Sequence, residues 1–333
     1  MRVLVLGGTH HVGRAVVEAA LERGDSVTTV TRGVSGPPAS GARAVYADRT
    51  EEGALSAALD DKSWDAVIDT WSADPRVVLE SARLLGGRVG HYGYVSSRSV
   101  YAWPIPVGLD ESAPVVDADP SSGDGSDYAR AKRGAELAVV DVFGDRALVA
   151  RAGLILGPYE VTGRLPWWLA RMSRGGRVVA PGPSDRPLQY IDARDLAQWM
   201  LDAAERRLGG TYNAVSQPGH TTMGDLLHTC NDVTGGHAEF VWVAPEDIGA
   251  AGVSGWTQLP IWTPPTGDLA GLHGGDVTAA YSEALRCRPM AETVSDTWQW
   301  LRAEGYPPPA SGRGELGLGA GAERRLLAIA LSR

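Results

Sequence analysis

The sequence predicts an α/β protein: a doubly wound parallel sheet followed by a smaller mixed α/β lobe. From residue 2 to about 151, short β-rich apolar runs alternate with longer stretches of helical periodicity, the order that builds βαβ units. The apolar runs are nearly continuous, as expected of strands covered by helices on both faces. Beyond residue 152 the texture changes, with eight of the eleven tryptophans set among proline-rich connections such as 181–187 and 259–266.

Taken in order, residues 3–6, 26–31, 43–46, 66–70, 92–96 and 147–151 read as strands. The first helix places Val12, Val16, Val17, Ala20 and Leu21 on one stripe, which suits a helix lying on a sheet. Residues 117–126 form an acidic loop rich in Gly and Ser directly before Tyr128. Two readings of it stand: a mobile cover over a site, or a solvated connection. A further helix over 192–206 is expected to return to the first sheet. The domains are therefore expected at 1–153, with 192–210 rejoining it, and at 154–305. Residues 306–333 read as a flexible linker rich in Pro and Gly and a short C-terminal helix over 323–331.

Composition narrows the function classes. A chain of 333 residues with 44% hydrophobic and 21% charged residues is globular, and a net charge of −9 repels polyanions, so nucleic acid is not an expected partner. Two cysteines, Cys230 and Cys287, build no disulfide framework, and their spacing with the seven histidines matches no structural zinc pattern. No metal is expected. The apolar start MRVLVLGG is too short for a membrane span and lacks a basic leader, and no later run is long enough. Membrane association is not expected, and the expected location is cytoplasmic.

The first strand ends in Gly7, Gly8, Thr9, His10, His11, Val12 and Gly13, immediately before the first helix. A phosphate-cradling turn belongs there, because backbone N–H groups at a helix N-terminus attract a pyrophosphate. The plain alternative is chain reversal, but the position after the first strand of a βαβ unit favours a Rossmann-type dinucleotide site. His10 stands where such turns usually carry a middle glycine. His10 and His11 read as loop residues touching phosphates, because adjacent residues point in different directions and no third ligand is evident. Past the second strand, Arg32 occupies the place of the acid that binds an adenosine ribose 2′-hydroxyl. A guanidinium suits a 2′-phosphate, so NADP(H) is favoured and NAD(H) remains possible; Arg32 as a solvated surface residue is the other reading. Asp48, after the third strand, is placed for the adenine amino group. Thr70, Ser96 and Leu154 complete the expected cofactor contacts, together with Tyr128 and Lys132.

Tyr128 and Lys132 are four apart, which puts a phenol and an ammonium on one face of a helix. A nearby cation favours the phenolate that acid-base work requires. Upstream, residues 94–101 leave an apolar strand and enter a loop carrying Ser97, at the sheet edge where ligands bind in such folds. Serines at strand ends also serve simply as turn formers, and a Tyr/Lys pair can sit on a solvated face. Conjunction favours the site: glycine turn, strand-end serine and Tyr/Lys helix occur in the right order on the right elements.

With these motifs the sequence resembles the extended short-chain dehydrogenase/reductases, the NAD-dependent epimerase/dehydratase family, over nearly the whole chain through Leu301. The shared features are Gly7-Gly8-Thr9 with Gly13, Val95-Ser96-Ser97 followed by Val100-Tyr101, the Tyr128/Lys132 pair, Arg151-Ala152-Gly153 with Gly157-Pro158, and Tyr190-Ile191-Asp192 with Asp195-Leu196-Ala197. The resemblance implies that Ser97 holds the substrate oxygen and that Tyr128 exchanges the proton there. It gives Lys132 the nicotinamide ribose and the tyrosine's acidity. It also implies a homodimer built on two helices from each subunit. Dehydratases of the family carry an acid pair just after the catalytic hydroxyl, where this chain has Arg98 and Ser99, which argues against elimination. The arginine that epimerases use on a substrate pyrophosphate would fall near Leu188, with Arg186 nearby. The Gly-Gly-Thr-x-x-Val-Gly turn is similar to that of a branch including chloroplast RNA-associated members.

In the second lobe, Trp103, Arg164, Trp167, Arg186, Tyr190, Trp256 and Trp262 are candidate pocket walls, since aromatics with a few polar anchors line small-molecule clefts. Core or interface packing is the alternative for each. The leading expectation is an NAD(P)-dependent reductase or dehydrogenase acting on a carbonyl or secondary alcohol of a polar small molecule. A redox-neutral epimerase with a retained cofactor, and a non-catalytic cofactor- or RNA-associated binding protein, are the alternatives.

Overall fold

The computed structural model describes residues 1–34, 36, 38–304 and 316–332. Its first part supplies β1 (Arg2–Leu6), β2 (Ser26–Thr31), β3 (Arg43–Tyr46), β4 (Trp64–Asp69), β5 (Val89–Ser97) and β6 (Ala147–Ala152). Between them run α1 (His11–Glu22), α2 (Ala54–Leu59), α3 (Pro75–Leu85) and α4 (Tyr128–Phe143). Each strand overlaps the one expected from its apolar run. Val3, Leu4, Val5, Ala66, Val67 and Ile68 are all fully buried, the two-sided burial that a parallel sheet imposes on its central strands.

The chain continues through β7 (Leu154–Leu156), α5 (Arg164–Ser173), β8 (Gly176–Pro181), β9 (Pro187–Leu188), β10 (Tyr190–Asp192), α6 (Ala193–Arg206) and β11 (Gly210–Ala214). It closes with β12 (Thr221–Thr222), α7 (Met223–Thr234), β13 (Ala238–Val243), α8 (Pro245–Ala250), β14 (Gly255–Trp256), β15 (Leu259–Pro260), α9 (Thr278–Ser282), α10 (Met290–Glu304) and α11 (Ala320–Leu331).

Seven strands form one parallel sheet in the order β11-β6-β5-β4-β1-β2-β3. Strand order reverses beside β1, which has β2 on one side and β4 on the other, and ligands of open α/β sheets bind at such a switch point. One face is covered by α1 and α6, whose Val16, Val17, Ala20, Leu196, Met200 and Ala203 share a core. On the other face α3 and α4 bury Val78, Ala82, Ala135, Ala138 and Val139. The parallel sheet flanked by helices is a Rossmann-type fold.

The later elements have a core of their own around the parallel pair β8–β13. Trp168 and Trp262 fill it, both almost fully buried, with indole N–H groups donated to Pro260 O and Gly182 O. Its outer face is covered by α11, which buries Leu326. That helix begins three residues ahead of the expected one; residues 306–315 of the expected linker lie outside the described residues. The acidic loop is pinned by turns in which Asp119 and Asp124 accept backbone N–H bonds from Ser121 and Ser126. Arg76 N donates to Ser122 O at 3.1 Å, so the loop packs along the start of α3. Among the described residues, no helix is long and apolar enough to cross a membrane.

Candidate active site

Gly7 and Gly8 leave β1 at φ 116° and 126°, values a side chain would strain. Gly13 lets α1 come close to the strand, since a Cβ there would lie 2.7 Å from Gly8 N. His10 caps α1 with extended backbone and no side-chain bond into the first turn, so the amides of that turn stay available to an anion. His10, His11, Val12 and Gly13 line a cleft of about 640 Å³, and Thr70 joins them from the end of β4. Thr70 Oγ1 donates to Leu6 O at 3.1 Å, tying the two strand ends together. Gly7 and Thr9 shape the turn without lining the cleft. Burial pushes the pKa of His11 down to about 4, which leaves its ring neutral. These bare glycines at a helix start fit a dinucleotide pyrophosphate.

The opposite side of the cleft begins where β5 ends. Ser97 keeps extended backbone and caps a single helical turn, Arg98–Val100; its Oγ accepts from Ser99 N and donates to Ser99 Oγ, both at 3.1 Å. Tyr128 is the first residue of α4, because Asp127 caps that helix by accepting from Arg130 N at 3.1 Å. The phenol is 42% exposed and borders the cleft, as Ser96, Ser97 and Lys132 also do. One turn on, Lys132 is buried, with Nζ donating to Trp71 O at 2.6 Å and Val95 O at 2.7 Å, 4.8 Å from the Tyr94 ring. Burial lowers its pKa to about 7 against the upward pull of Asp69 and Glu136.

Glu136 fixes this geometry from below. It is almost fully buried, accepting from Ser96 Oγ at 2.6 Å and from Arg151 Nε and Nη2 at 2.9 and 3.0 Å, which ties α4 to β5 and β6.

Leu154 lines the cleft, whereas Arg32 and Asp48 stand beyond it at the ends of β2 and β3. Arg32 is exposed. The carboxyl of Asp48 is held below its ordinary range by hydrogen bonds from Thr50 and, more weakly, by the charge of Arg32.

The candidate pocket walls of the second lobe divide. Arg164 and Trp256 line the cleft, with the guanidinium 4.6 Å from the indole centroid. Tyr190 and Trp262 do not: both are core residues, and the Tyr190 hydroxyl donates to Arg288 O at 3.1 Å. Arg186 is a brace, its Nη2 donating to Thr263 Oγ1, Pro264 O and Ala270 O. Trp167 packs edge-on against Trp168 at 4.7 Å, and Trp103 is 47% exposed in the loop beyond β5. Sequence reasoning missed Ser72, Gln189 and His273, which also line the cleft. Only Gln189, directly before the Tyr190-Ile191-Asp192 motif, had a neighbouring signal.

A second cavity, of about 600 Å³, is lined by α1, Tyr159, Arg194 and Trp300, and shares His11 with the first. It contains none of the Ser, Tyr and Lys set.

The model of the NAD dependent epimerase/dehydratase family matches residues 3–214. No curated protein sequence matches the chain. Among solved structures it is similar to the Bordetella bronchiseptica enzyme WbmH in complex with NAD+, at TM-score 0.69 and 17% identity over 92% of this chain and 99% of that one. It is similar to UDP-N-acetylglucosamine 4-epimerase from Bacillus cereus, at TM-score 0.65 and 15% identity over 91% and 99%. UDP-glucose 4-epimerase from Thermotoga maritima with UDP-glucose is also similar, at TM-score 0.64 and 18% identity over 91% and 99%. With the glycine turn at the switch point and the family match across nearly two thirds of its length, the chain belongs to the NAD-dependent epimerase/dehydratase family of nicotinamide-binding enzymes.

Proposed function

We propose that the protein is an oxidoreductase that moves hydride between a nicotinamide, NADP(H) in preference to NAD(H), and a carbonyl or secondary alcohol of a polar small molecule. One observation carries the reading: Ser97, Tyr128 and Lys132 border the same cleft as the glycine turn. Hydride exchange is the chemistry that a bound nicotinamide contributes. The chain's own groups do the remainder. Ser97 Oγ, oriented by Ser99, holds the substrate oxygen, and Tyr128 delivers or removes the proton at that oxygen. Lys132 spends two of its three N–H bonds on the carbonyls of Trp71 and Val95 and keeps the third for the nicotinamide ribose. Its charge favours the phenolate of Tyr128. The cofactor preference is supported by Arg32, which stands past β2 where an acid would select a free 2′-hydroxyl.

Redox-neutral epimerisation is the second reading, favoured by the two 4-epimerases among the similar structures. It predicts cofactor that co-purifies and is not consumed. Fluorescence titration with NADPH and NADH, followed by a substrate panel read by nicotinamide absorbance, separates the two. Replacing Tyr128 with Phe is expected to lower kcat at least ~100-fold with cofactor binding retained. Unchanged turnover in that variant would refute the assignment.

A further inference from the structure

The lining of the cleft is positively charged. Three cationic side chains, Arg98, Lys132 and Arg164, border the cleft, and no aspartate or glutamate does among the described residues. The chain as a whole carries a net charge of −9, so this concentration of cations runs against its overall balance.

Arg98 is the informative member. It is 3% exposed, and its Nη1 donates only to neutral acceptors, Gln189 Oε1 at 3.2 Å and Leu272 O at 3.1 Å. Its Nε and Nη2 are buried without a hydrogen-bond partner. Those two N–H groups form the side-on edge of a guanidinium, which matches two oxygens of an anion. The other deeply buried arginines behave differently: Arg49 pairs with Asp69, Arg151 with Glu136 and Arg171 with Glu323. Leaving a guanidinium buried without a counter-charge is costly, and burial has already drawn the pKa of Arg98 down to about 10.

Glu111 acts on it through its charge alone, too weakly to offset burial, and the groups that hold the side chain in place are neutral. Gln189 Nε2 donates to Ser216 O and Gly275 O, which turns Oε1 toward Arg98. His273 accepts from Gln189 N on Nδ1, faces Ile261 O with Nε2, and is kept neutral by burial at a pKa of about 4. Gly275 lies against the guanidinium, where a Cβ would fall 2.2 Å from Nη2. Trp256, on which Arg164 stacks, is held at φ 66°, a conformation that side-chain-bearing residues rarely adopt.

We propose that Arg98 and Arg164 anchor an oxyanion of the substrate, a carboxylate or a phosphoryl group, in the cleft that also holds Ser97. The proposal deepens the oxidoreductase reading and rests on it for the identity of the reacting end. Specificity then comes from charge: a neutral analogue leaves Arg98 without a counter-ion and is rejected.

The test is calorimetric titration of the intact protein, with and without saturating NADPH, using oxalate and methyl phosphate as anionic probes and oxamide and methanol as neutral ones. The expected result is binding of at least one anion roughly tenfold or more tighter than its neutral counterpart. Response to oxalate alone identifies an acid substrate, and response to methyl phosphate alone a phosphate ester. Arg98→Gln is expected to remove most of this advantage, Arg98→Lys to keep part of it, and Arg164→Gln to weaken it without disturbing the buried cluster. Retained NADPH binding reports that each variant is folded. Anions that bind no better than the neutral probes, or equally well to Arg98→Gln and Arg164→Gln, would overturn the proposal. Failure of NADPH to bind the unaltered protein would instead count against the oxidoreductase reading, and the titrations without NADPH would still decide this one.

Discussion

Lys132 is asked both to be buried and to carry charge. The residue is 3% exposed, and burial lowers its pKa from 10.5 to about 7, while Asp69 and Glu136 pull the other way. A depressed lysine pKa means that the folded protein binds fewer protons than the unfolded chain between pH 7 and 10.5. Stability contributed by Lys132 is therefore fully present above the unfolded value and is lost as pH falls toward 7. Compared with Lys132→Met, the unaltered protein should gain about 3 to 5 kcal/mol across that window, measured by urea unfolding at a series of pH values. A difference that stays flat with pH would mean that the ammonium is not desolvated. At this scale the sequence was legible where chemistry and spacing coincide: an i, i+4 pair and a strand-end hydroxyl leave a local mark, and Ser97, Tyr128 and Lys132 border one cleft. His273 leaves none and Gln189 only its place beside the Tyr190-Ile191-Asp192 motif, since both enter the cleft through elements far along the chain from Ser97, and tertiary packing brings them there. Trp262 and Tyr190 failed as pocket walls for the converse reason. Large aromatics fill a core as readily as they line a cleft, and the partners that decide it, Gly182 O and Arg288 O, are remote in sequence.

Helix α4 carries both Tyr128 and Lys132, and its seat on the sheet depends on one carboxylate. Glu136 takes four hydrogen bonds, from Ser96, Arg133 and two nitrogens of Arg151, so its loss strands a guanidinium that is only 5% exposed. Breaking a buried pair from one side costs about 3 to 5 kcal/mol. Glu136→Ala should therefore lower the unfolding free energy by that amount, read from the urea midpoint at constant m-value. Adding Arg151→Met should restore much of the loss, because the orphaned charge goes with it. If the double variant is as unstable as the sum of its parts, the pair is not the clamp described. The strands of the first half and helix α1 were readable because short β-rich runs and a one-sided apolar stripe mark them locally, whereas α2 and α3 were given no bounds from the sequence. Strand β11 was not readable, for its Gly-Thr-Tyr-Asn-Ala sequence lacks a continuous apolar run. It is a strand because β6 offers a parallel edge in register from Gly210 opposite Leu148 to Ala214 opposite Ala152.

The cleft joins two separately packed cores. Ser97, Tyr128 and Lys132 come from the parallel sheet and its helices, while Arg164, Trp256 and His273 come from the elements built around β8 and β13. A dinucleotide at the switch point binds only where the sheet and the turn of Gly7 to Gly13 are intact, so binding and folding are linked through the native state. At 100 times Kd, NADPH should add about 2.7 kcal/mol. For 333 residues, unfolding near its midpoint releases roughly 0.7 kcal/mol of free energy per degree, which converts the gain to a rise of about 4 °C in Tm. NADH at the same concentration should give a smaller rise, because Arg32 has no 2′-phosphate to engage. Arg32→Ala tests the cause as well as the size. Losing one charge-assisted contact costs about 1.5 kcal/mol, roughly tenfold in Kd, so the variant's NADPH shift should fall to that of NADH while the NADH shift stays where it was. Equal shifts from both cofactors in the unaltered protein, or an NADPH shift indifferent to Arg32→Ala, would remove the basis for the proposed preference, which rests on the exposed guanidinium past β2.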